Sequence, residues 1–359
     1  MKNGDKIMNI FDIAKETGFS IATVSRAINN SGYVSEKTRA KIMKVIEENN
    51  YSVNAFARGM ATSTMSQVGI LSTDSRDVYQ AEAIYHLQHA LKEKGFASLL
   101  ICSGTELRDK QEALGMLLSR NVDSVILIGS QFIEARYKDN QYIKDAAARV
   151  PVILINGGIK GKNIYTITCD NEAGMTDAVS HVISSGSSNP LMLIRRKTLA
   201  TVNKIRGFEK GCSDAGIDPE GRVLQTGSDD GIYPQLSSLL DGKSFDALIC
   251  ADDGLAACAL RYCDQKKLQV PEDVQVTGFN NSSLTMIASK EITSFDNRTE
   301  YLCSAAVSIM NQILDHQEVP SETVFTGQLI ERESTRPLPE KPALSREEAE
   351  EEDPDEMLY

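Results

Sequence analysis

Between Asn9 and Glu48 the apolar positions fall at helical spacing in three short runs. Asn9-Ile-Phe-Asp-Ile-Ala-Lys-Glu-Thr17 sets Ile10, Ile13 and Ala14 on one face. Gly18 stops that run, since glycine tolerates the left-handed backbone of a helix C-terminus. Ser20 stands where it caps a second helix through Ile28, with Val24 and Ile28 inward. Ser35-Glu-Lys-Thr38 opens a third helix through Glu48, with Ile42, Val45 and Ile46 apolar. Three short helices with a glycine turn between the first two predict a helix-turn-helix bundle. Taken alone, the spacing also suits a three-helix bundle with no DNA role.

From Gln67 to about Arg336 the pattern changes to apolar, β-branched runs alternating with amphipathic helices. Strands are predicted at Val68–Leu71, Leu99–Cys102, Val125–Ile128 and Val152–Ile155, with helices at 79–94 and around 109–119 between them. The series resumes after residue 165. Strands are predicted at Leu191–Ile194, Val223–Gln225, Ala247–Cys250 and Val274–Thr277, with helices at 200–215, 231–240 and 253–266. Continuously apolar strands between helices imply parallel sheets covered on both faces. Two such series predict two doubly wound lobes, with any ligand in the cleft at the strands' carboxyl ends.

Composition is that of a soluble globular protein: 41% hydrophobic and 25% charged over 359 residues, enough for two or three cores. No uncharged apolar run reaches the roughly 18 residues a membrane span needs. Met1–Ile10 has lysines but no apolar stretch, so no secretion signal and a cytoplasmic location are expected. The seven cysteines are odd in number and scattered, Cys258 and Cys263 forming no CxxC, and are read as reduced thiols. The net charge of −12 is unevenly spread. Residues 1–60 carry nine Lys/Arg against six Asp/Glu, whereas the segment from Pro337 carries two against nine. A mildly basic head on an acidic body suggests that only the head approaches phosphates. The Pro- and Glu-rich tail, 337–359, is expected to be disordered.

Three stretches of the head are more specific than periodicity. Asn9-Ile-Phe-Asp-Ile-Ala-Lys-Glu-Thr-Gly-Phe-Ser-Ile-Ala-Thr-Val-Ser-Arg-Ala-Ile-Asn29, Val34-Ser-Glu-Lys-Thr-Arg39 and Asn54-Ala-Phe-Ala-Arg58 resemble the head of the lactose/galactose repressor family. Gly207-Phe208, Val270-Pro-Glu-Asp-Val274 and Gly278-Phe279 follow in that family's order, so the resemblance covers residues 9 to about 336. It implies an α/β protein: a helix-turn-helix domain (1–53), a hinge helix and linker (54–66), and a two-lobed periplasmic-binding-protein-like domain of two doubly wound parallel sheets (67–336). The first lobe is expected at about 67–163 and 296–325, and the second at about 164–295 and 326–336.

The resemblance implies a homodimer on a pseudo-palindromic operator in double-stranded DNA, with the second helix in the major groove. Ser20, Ile21, Ala22, Ser25 and Arg26 cluster near the start of that helix, where an Arg can grip guanine bidentately. Ile21 and Ala22 hold the positions the family uses to choose among operators. Thr23, Ser25, Asn29 and Thr38 are candidate phosphate contacts. Asn54, Ala57 and Met60 fall on the expected hinge helix, Met60 where the family wedges a leucine into the minor groove. Departures from the family accompany them: Val53 where proline is common, Gly59, which lowers helix propensity by roughly 1 kcal/mol relative to Ala, and Ala61 in place of a basic residue.

The same resemblance maps an effector site onto Tyr79, Asn156, Lys204, Asp252 and Asn280. Two carboxylates usual in the family are amides here, Asn156 and Asn280, and a usual arginine is Lys204, a point charge in place of a planar fork. A small polar effector, a sugar or nucleoside, is expected, and no cofactor. His86 and His89 could share a helix face, but no third metal ligand is evident, and no G-x-S-x-G, HExxH or phosphate loop is present, so no enzyme is expected. Two alternatives stay open: a family regulator whose sensor reads a phosphorylated carrier protein, and a solute-binding protein of the same two-lobed architecture.

Overall fold

The computed structural model describes residues 8–29, 32–49, 64–226 and 232–339. The expected hinge residues Asn54, Ala57 and Met60, with Val53, Gly59 and Ala61, lie outside the described residues, as does the acidic tail from 340 onward.

The head has three helices, α1 (Ile10–Thr17), α2 (Ile21–Asn29) and α3 (Glu36–Glu48). Asn9 and Asp12 close a reciprocal capping box at the start of α1, and Gly18 ends it in the left-handed conformation, φ 74°. The Ser20 hydroxyl accepts from the Thr23 N–H at 3.1 Å, so Ser20 starts α2. Ser35 starts α3 in the same way through Thr38. Ile13, Ala14, Val24, Ala27 and Ile42 form the small core. Basic side chains of α3 close the preceding helices: Lys41 donates to the Thr17 carbonyl at 3.1 Å and Arg39 to the Ala27 carbonyl at 2.9 Å.

Two six-stranded sheets follow. The first contains β1 (Gln67–Ser72), β2 (Ala97–Cys102), β3 (Ser124–Ile128), β4 (Val152–Ile155), β5 (Ile164–Cys169) and β11 (Glu322–Phe325), in the order β2-β1-β3-β4-β5-β11, all parallel. The second contains β6 (Pro190–Ile194), β7 (Val223–Gln225), β8 (Ala247–Cys250), β9 (Gln275–Phe279), β10 (Thr293–Asp296) and β12 (Gln328–Ile330). Its order is β7-β6-β8-β9-β10-β12, with only β12 antiparallel. Every residue of β3, β4, β6, β8 and β9 is buried, which is why β3, β4, β6 and β8 read as almost wholly apolar runs. The helices between strands are α4 (Val78–Glu93), α5 (Leu107–Ser119), α6 (Gln141–Ala147), α7 (Asn171–Ser184), α8 (Leu199–Asp214), α9 (Ile232–Leu240), α10 (Asp253–Lys266), α11 (Leu284–Ile287) and α12 (Thr299–Leu314).

One expected boundary moves. The second lobe is expected from about residue 164, which is where β5 begins. β5 pairs instead with β4, Val152 opposite Ile164, and with β11, so the first sheet runs on to Cys169 and the chain changes lobe at Asp170. The chain crosses again between β10 and α12, and a third time between β11 and β12.

Two glycines of the sequence motifs have a steric reason. A Cβ on Gly207 in α8 would sit 2.2 Å from the Glu172 carbonyl oxygen of α7, so these helices pack backbone to backbone only at glycine. A Cβ on Gly278 in β9 would lie 2.2 Å from the Asp253 carboxylate. Phe208 and Phe279, which follow the two glycines, are fully buried.

Candidate functional site

Two surfaces hold the residues singled out by sequence. On the head, Ser20, Ile21, Ala22 and Arg26 are exposed, with Thr23 and Ser25 half-buried. Val24 and Ala27 of the same helix are buried in the small core, so α2 presents one polar-to-apolar face outward and anchors the other. Arg26 lies in the last turn of α2, not near its start, and its side chain passes beside Gly32. Thr23 and Thr38 are spent partly on the caps: the Thr23 hydroxyl is 2.9 Å from Ser20 Oγ, and the Thr38 hydroxyl accepts from Ser35 at 2.9 Å. Both therefore sit at helix N-termini, where backbone N–H groups favour an anion. Asn29 closes α2.

The second surface is a cavity of about 380 Å³ between the two sheets. Its lining follows from topology. Thr73 and Asp74 come directly after β1, Gly129–Gln131 after β3, Asn156 after β4, Arg195 and Arg196 after β6, Ala251 and Asp252 after β8, and Asn280 after β9. The starts of α4, α7, α8 and α10 contribute as well, so four helix N-termini line it. All five effector residues expected from sequence, Tyr79, Asn156, Lys204, Asp252 and Asn280, line this one cavity.

Their hydrogen bonds divide them by task. Asn156 donates through Nδ2 to the Tyr79 hydroxyl at 2.6 Å and accepts from the Cys169 N–H at 3.1 Å. Its amide therefore orients Tyr79, whose hydroxyl hydrogen is left to point elsewhere. Burial holds the Tyr79 phenol well above its ordinary range, so it stays neutral. Asn280, at φ 100°, accepts from Asn297 Nδ2 at 2.9 Å, which leaves its own amide nitrogen as a donor. Asp252 caps α10 through the Leu255 N–H at 2.9 Å and is gripped by Arg195, Nε to Oδ2 at 2.8 Å and Nη2 to Oδ1 at 2.9 Å. Lys204 is 7% exposed, donates to the Ala251 carbonyl at 2.7 Å, and lies 3.7 Å over the Phe279 ring. Burial pulls its ammonium down to about 8.

The sequence reading missed Arg195 and Arg196, together with Thr73, Asp74, Arg76 and Asp77 at the β1–α4 turn. A signal for the arginines was present: Arg195-Arg196-Lys197 follows the apolar run of β6 without a break, at a strand's carboxyl end. Gln80 was missed as well. It is 2% exposed, and its Oε1 accepts from Ser72 Oγ, the Thr73 N–H and Thr73 Oγ1, tying the end of β1 to α4. Among the described residues no three His, Cys, Asp or Glu side chains converge as a metal site, and no helix is long and apolar enough to cross a membrane.

Comparison with known proteins recognises two domains in the chain. Residues 9–54 match the model for bacterial regulatory proteins of the lacI family, and residues 179–335 match a periplasmic binding protein-like domain. An HTH-type transcriptional regulator of Lachnoclostridium phytofermentans is 38% identical over 331 residues, covering 91% of this chain and 99% of that protein. In fold, the chain is similar to the Lac repressor dimer bound to operator and the anti-inducer ONPF, with a TM-score of 0.83 at 20% identity over 92% of this chain and 100% of that one. It is also similar to the transcriptional regulator CelR in complex with cellobiose, with a TM-score of 0.65 at 23% identity over 91% and 99% of the two chains. With a relative this close over nearly its whole length, the chain belongs to the LacI family: it is a DNA-binding transcription regulator and not an enzyme.

Proposed function

We propose that this regulator acts in the cytoplasm as a homodimeric repressor whose grip on operator DNA is set by a small hydroxylated effector, a sugar or nucleoside, held in the cleft. The observation that carries the reading is the cavity of about 380 Å³ at the carboxyl ends of both sheets, within the range of small-ligand sites and lined by groups from both lobes. Tyr79 and Asn156 come from the first lobe and Lys204, Asp252 and Asn280 from the second, so a ligand bridging them favours one closure angle. The fold neighbours support it: one is a repressor dimer on operator and another a regulator holding a disaccharide.

On the DNA side, α2 enters the major groove. Ser20, Ile21, Ala22, Ser25 and Arg26 meet base edges or their margins, and Thr23, Asn29 and Thr38 meet phosphates. The hinge positions read from the sequence, Asn54, Ala57 and Met60, fall between the head domain, 1–53, and the sensor, 67–336, and lie outside the described residues.

The test is a thermal-shift screen of sugars and nucleosides with and without operator, followed by titration of the active compound against operator binding. A coupling of about 1–3 kcal/mol changes operator affinity roughly 5- to 150-fold. Lys204→Ala and Asp252→Ala lose that response. A response retained in both variants with unchanged midpoint overturns the cleft reading and points to a protein partner on the outer surface, such as a phosphorylated carrier.

A further inference from the structure

The first sheet has a basic edge, away from the cleft. Parallel pairing sets the starts of its strands side by side: Gln67 opposite Ala97, Val68 opposite Ser124, Val125 opposite Val152 and Val152 opposite Ile164. The chain arrives from the head at this edge, where the Asp123 carboxylate accepts from the N–H groups of Met65 and Gln67, each at 2.9 Å. The same edge carries Lys94 after α4, Arg120 after α5, Lys144 in the last turn of α6, Arg149 before β4, and Lys160 and Lys162 before β5. Its acids are mostly engaged: Asp123 as above, Glu93 beside His89 at 3.5 Å and Asp145 with Gln141 at 2.9 Å. Asp139 stands at the other end of α6, and Glu318 and Glu322 lie past β5, toward β11.

Part of that charge has a local reason. Lys94 and Arg120 close α4 and α5, where a cation complements the helix dipole, and Arg149 donates to the Leu118 carbonyl at the end of α5 at 3.3 Å. Lys160 and Lys162 have no such task. Both are exposed in the β4–β5 loop, follow no helix, and form no ion pair among the described residues. With Lys144 they line an open hollow of about 680 Å³, shared with Tyr137, Asn163 and Tyr165. Lys144 lies 3.7 Å over the Tyr137 ring and donates to the Tyr137 hydroxyl, which leaves its other hydrogens to an outside acceptor. Three ammonium groups around one hollow repel one another until an anion sits among them. A chain carrying −12 overall repels a polyanion elsewhere, so a polyanion meets it at the head or at an edge of this kind.

We propose that the first lobe carries a second DNA contact, in which Lys144, Lys160 and Lys162 meet backbone phosphates of the duplex outside the stretch that α2 reads. β1, where the chain arrives from the head, and β5 are three strand spacings apart, about 15 Å. A duplex held by the head offers a phosphate about every 3.4 Å along each strand, several over that span. The contact reads no bases. It adds affinity and salt dependence to whatever sequence the head selects. It rests on the chain being a DNA-binding regulator, and not on the effector reading.

The test uses the full chain and a site that it enriches from random duplex DNA. That site is prepared twice, trimmed to the selected bases and with about one helical turn, roughly ten base pairs, added on each side. The parent should bind the longer duplex about tenfold more tightly at low salt, and with a steeper salt dependence. Lys160→Gln/Lys162→Gln should lose that gain, its salt slope on the longer duplex shallowing by about 0.9 for each phosphate released. Its affinity for the trimmed site should stay at the parent's. Lys160→Arg/Lys162→Arg should keep the gain, since phosphate accepts either cation. Hydroxyl-radical cleavage should show the flanking backbone protected by the parent and by the arginine pair, and unprotected by the glutamine pair. A parent that gains nothing from the flanks overturns the proposal and points to an acidic protein partner at the hollow. A gain that survives in Lys160→Gln/Lys162→Gln overturns it too. Equal losses on both duplexes would place the effect in the head or in folding, and overturn it as well.

Discussion

Glu82, in the second turn of α4 in the first lobe, accepts a hydrogen bond at 2.9 Å from the backbone N–H of Ser283 in the second. Ser130 and Thr198 make another contact across the cleft, their hydroxyls 2.9 Å apart. Each bond exists only at one closure angle of the lobes. Charge-assisted bonds of this kind contribute about 1.5–3 kcal/mol where desolvated and less where water competes. Glu82→Ala should therefore shift the closure balance by up to roughly tenfold. Small-angle scattering of the unliganded protein should show expansion, and effector affinity should change by the same factor. Glu82→Gln retains an acceptor without the charge and should fall between the parent and Glu82→Ala. Scattering profiles that are superimposable for all three proteins would show that this bond does not hold the lobes.

Lys204 also makes a prediction for stability. Its ammonium titrates at about 8 in the folded chain, against 10.5 for an unhindered lysine. Between those values the unfolded chain binds the proton and the folded one does not, so stability contributed through this group rises with pH from about 8 to about 10.5. Below pH 8 both states are charged and the full cost of burying the ammonium, on the order of 3 kcal/mol, applies. Lys204→Met should raise stability at pH 7 and remove this part of the pH dependence. Urea denaturation of both proteins at pH 7 and pH 10 measures it, and a stability difference that does not narrow between the two pH values would contradict it.

Much of this arrangement was legible in the sequence, and the part that was not is physical in origin. β3, β4 and β8 announce themselves because both faces of each strand are buried. The caps at Asn9, Ser20 and Ser35 are local chemistry, readable three residues away. β5 is different. Ile164-Tyr-Thr-Ile-Thr-Cys169 mixes polar and apolar residues, and whether it joins the first sheet or the second depends on β4 and on β11, more than 150 residues later in the chain. No local pattern encodes that pairing. The five cleft positions came from resemblance, which says nothing of the hydrogen bonds each makes. Asn156 and Asp252 turn out to hold Tyr79, Arg195 and α10 in place, while Arg195 and Arg196 bring charge the resemblance had not assigned.

Asp253 anchors the loop that carries Asn280. It is 2% exposed, and its carboxylate accepts from Ser282 N at 2.7 Å, Ser282 Oγ at 2.8 Å and Ser294 Oγ at 2.6 Å. Burial pushes it up to about 6, against the pull of those three bonds. The folded chain thus holds a proton more firmly than the unfolded one between about 3.8 and 6. This group's contribution to stability accordingly falls as pH rises through that window. Asp253→Ala strands the buried Ser282 N–H and should cost about 1–3 kcal/mol. Asp253→Asn should flatten the dependence between pH 4 and 6. Thermal melts at pH 4.5 and 7 check both, and an Asn variant with the parent's slope would assign that slope to another group.

Arg26 gives the sharpest test of the DNA surface. It stands exposed in the last turn of α2, while Val24 and Ala27 hold the opposite face of that helix in the core of the head. Removing its side chain beyond Cβ therefore leaves the fold of the head intact, and any loss falls on what the guanidinium touches. If that is a guanine edge, Arg26→Ala should cost about 1–3 kcal/mol per half-site on the specific operator, and far less on random duplex. If it is a phosphate, both losses should be similar and the salt dependence of binding should shallow by about one counterion per half-site. Arg26→Lys separates the cases further, since lysine can neutralise a phosphate but cannot match the bidentate fork. Affinities measured on operator and random DNA at two salt concentrations decide between them, and equal losses on both duplexes would exclude base reading by Arg26.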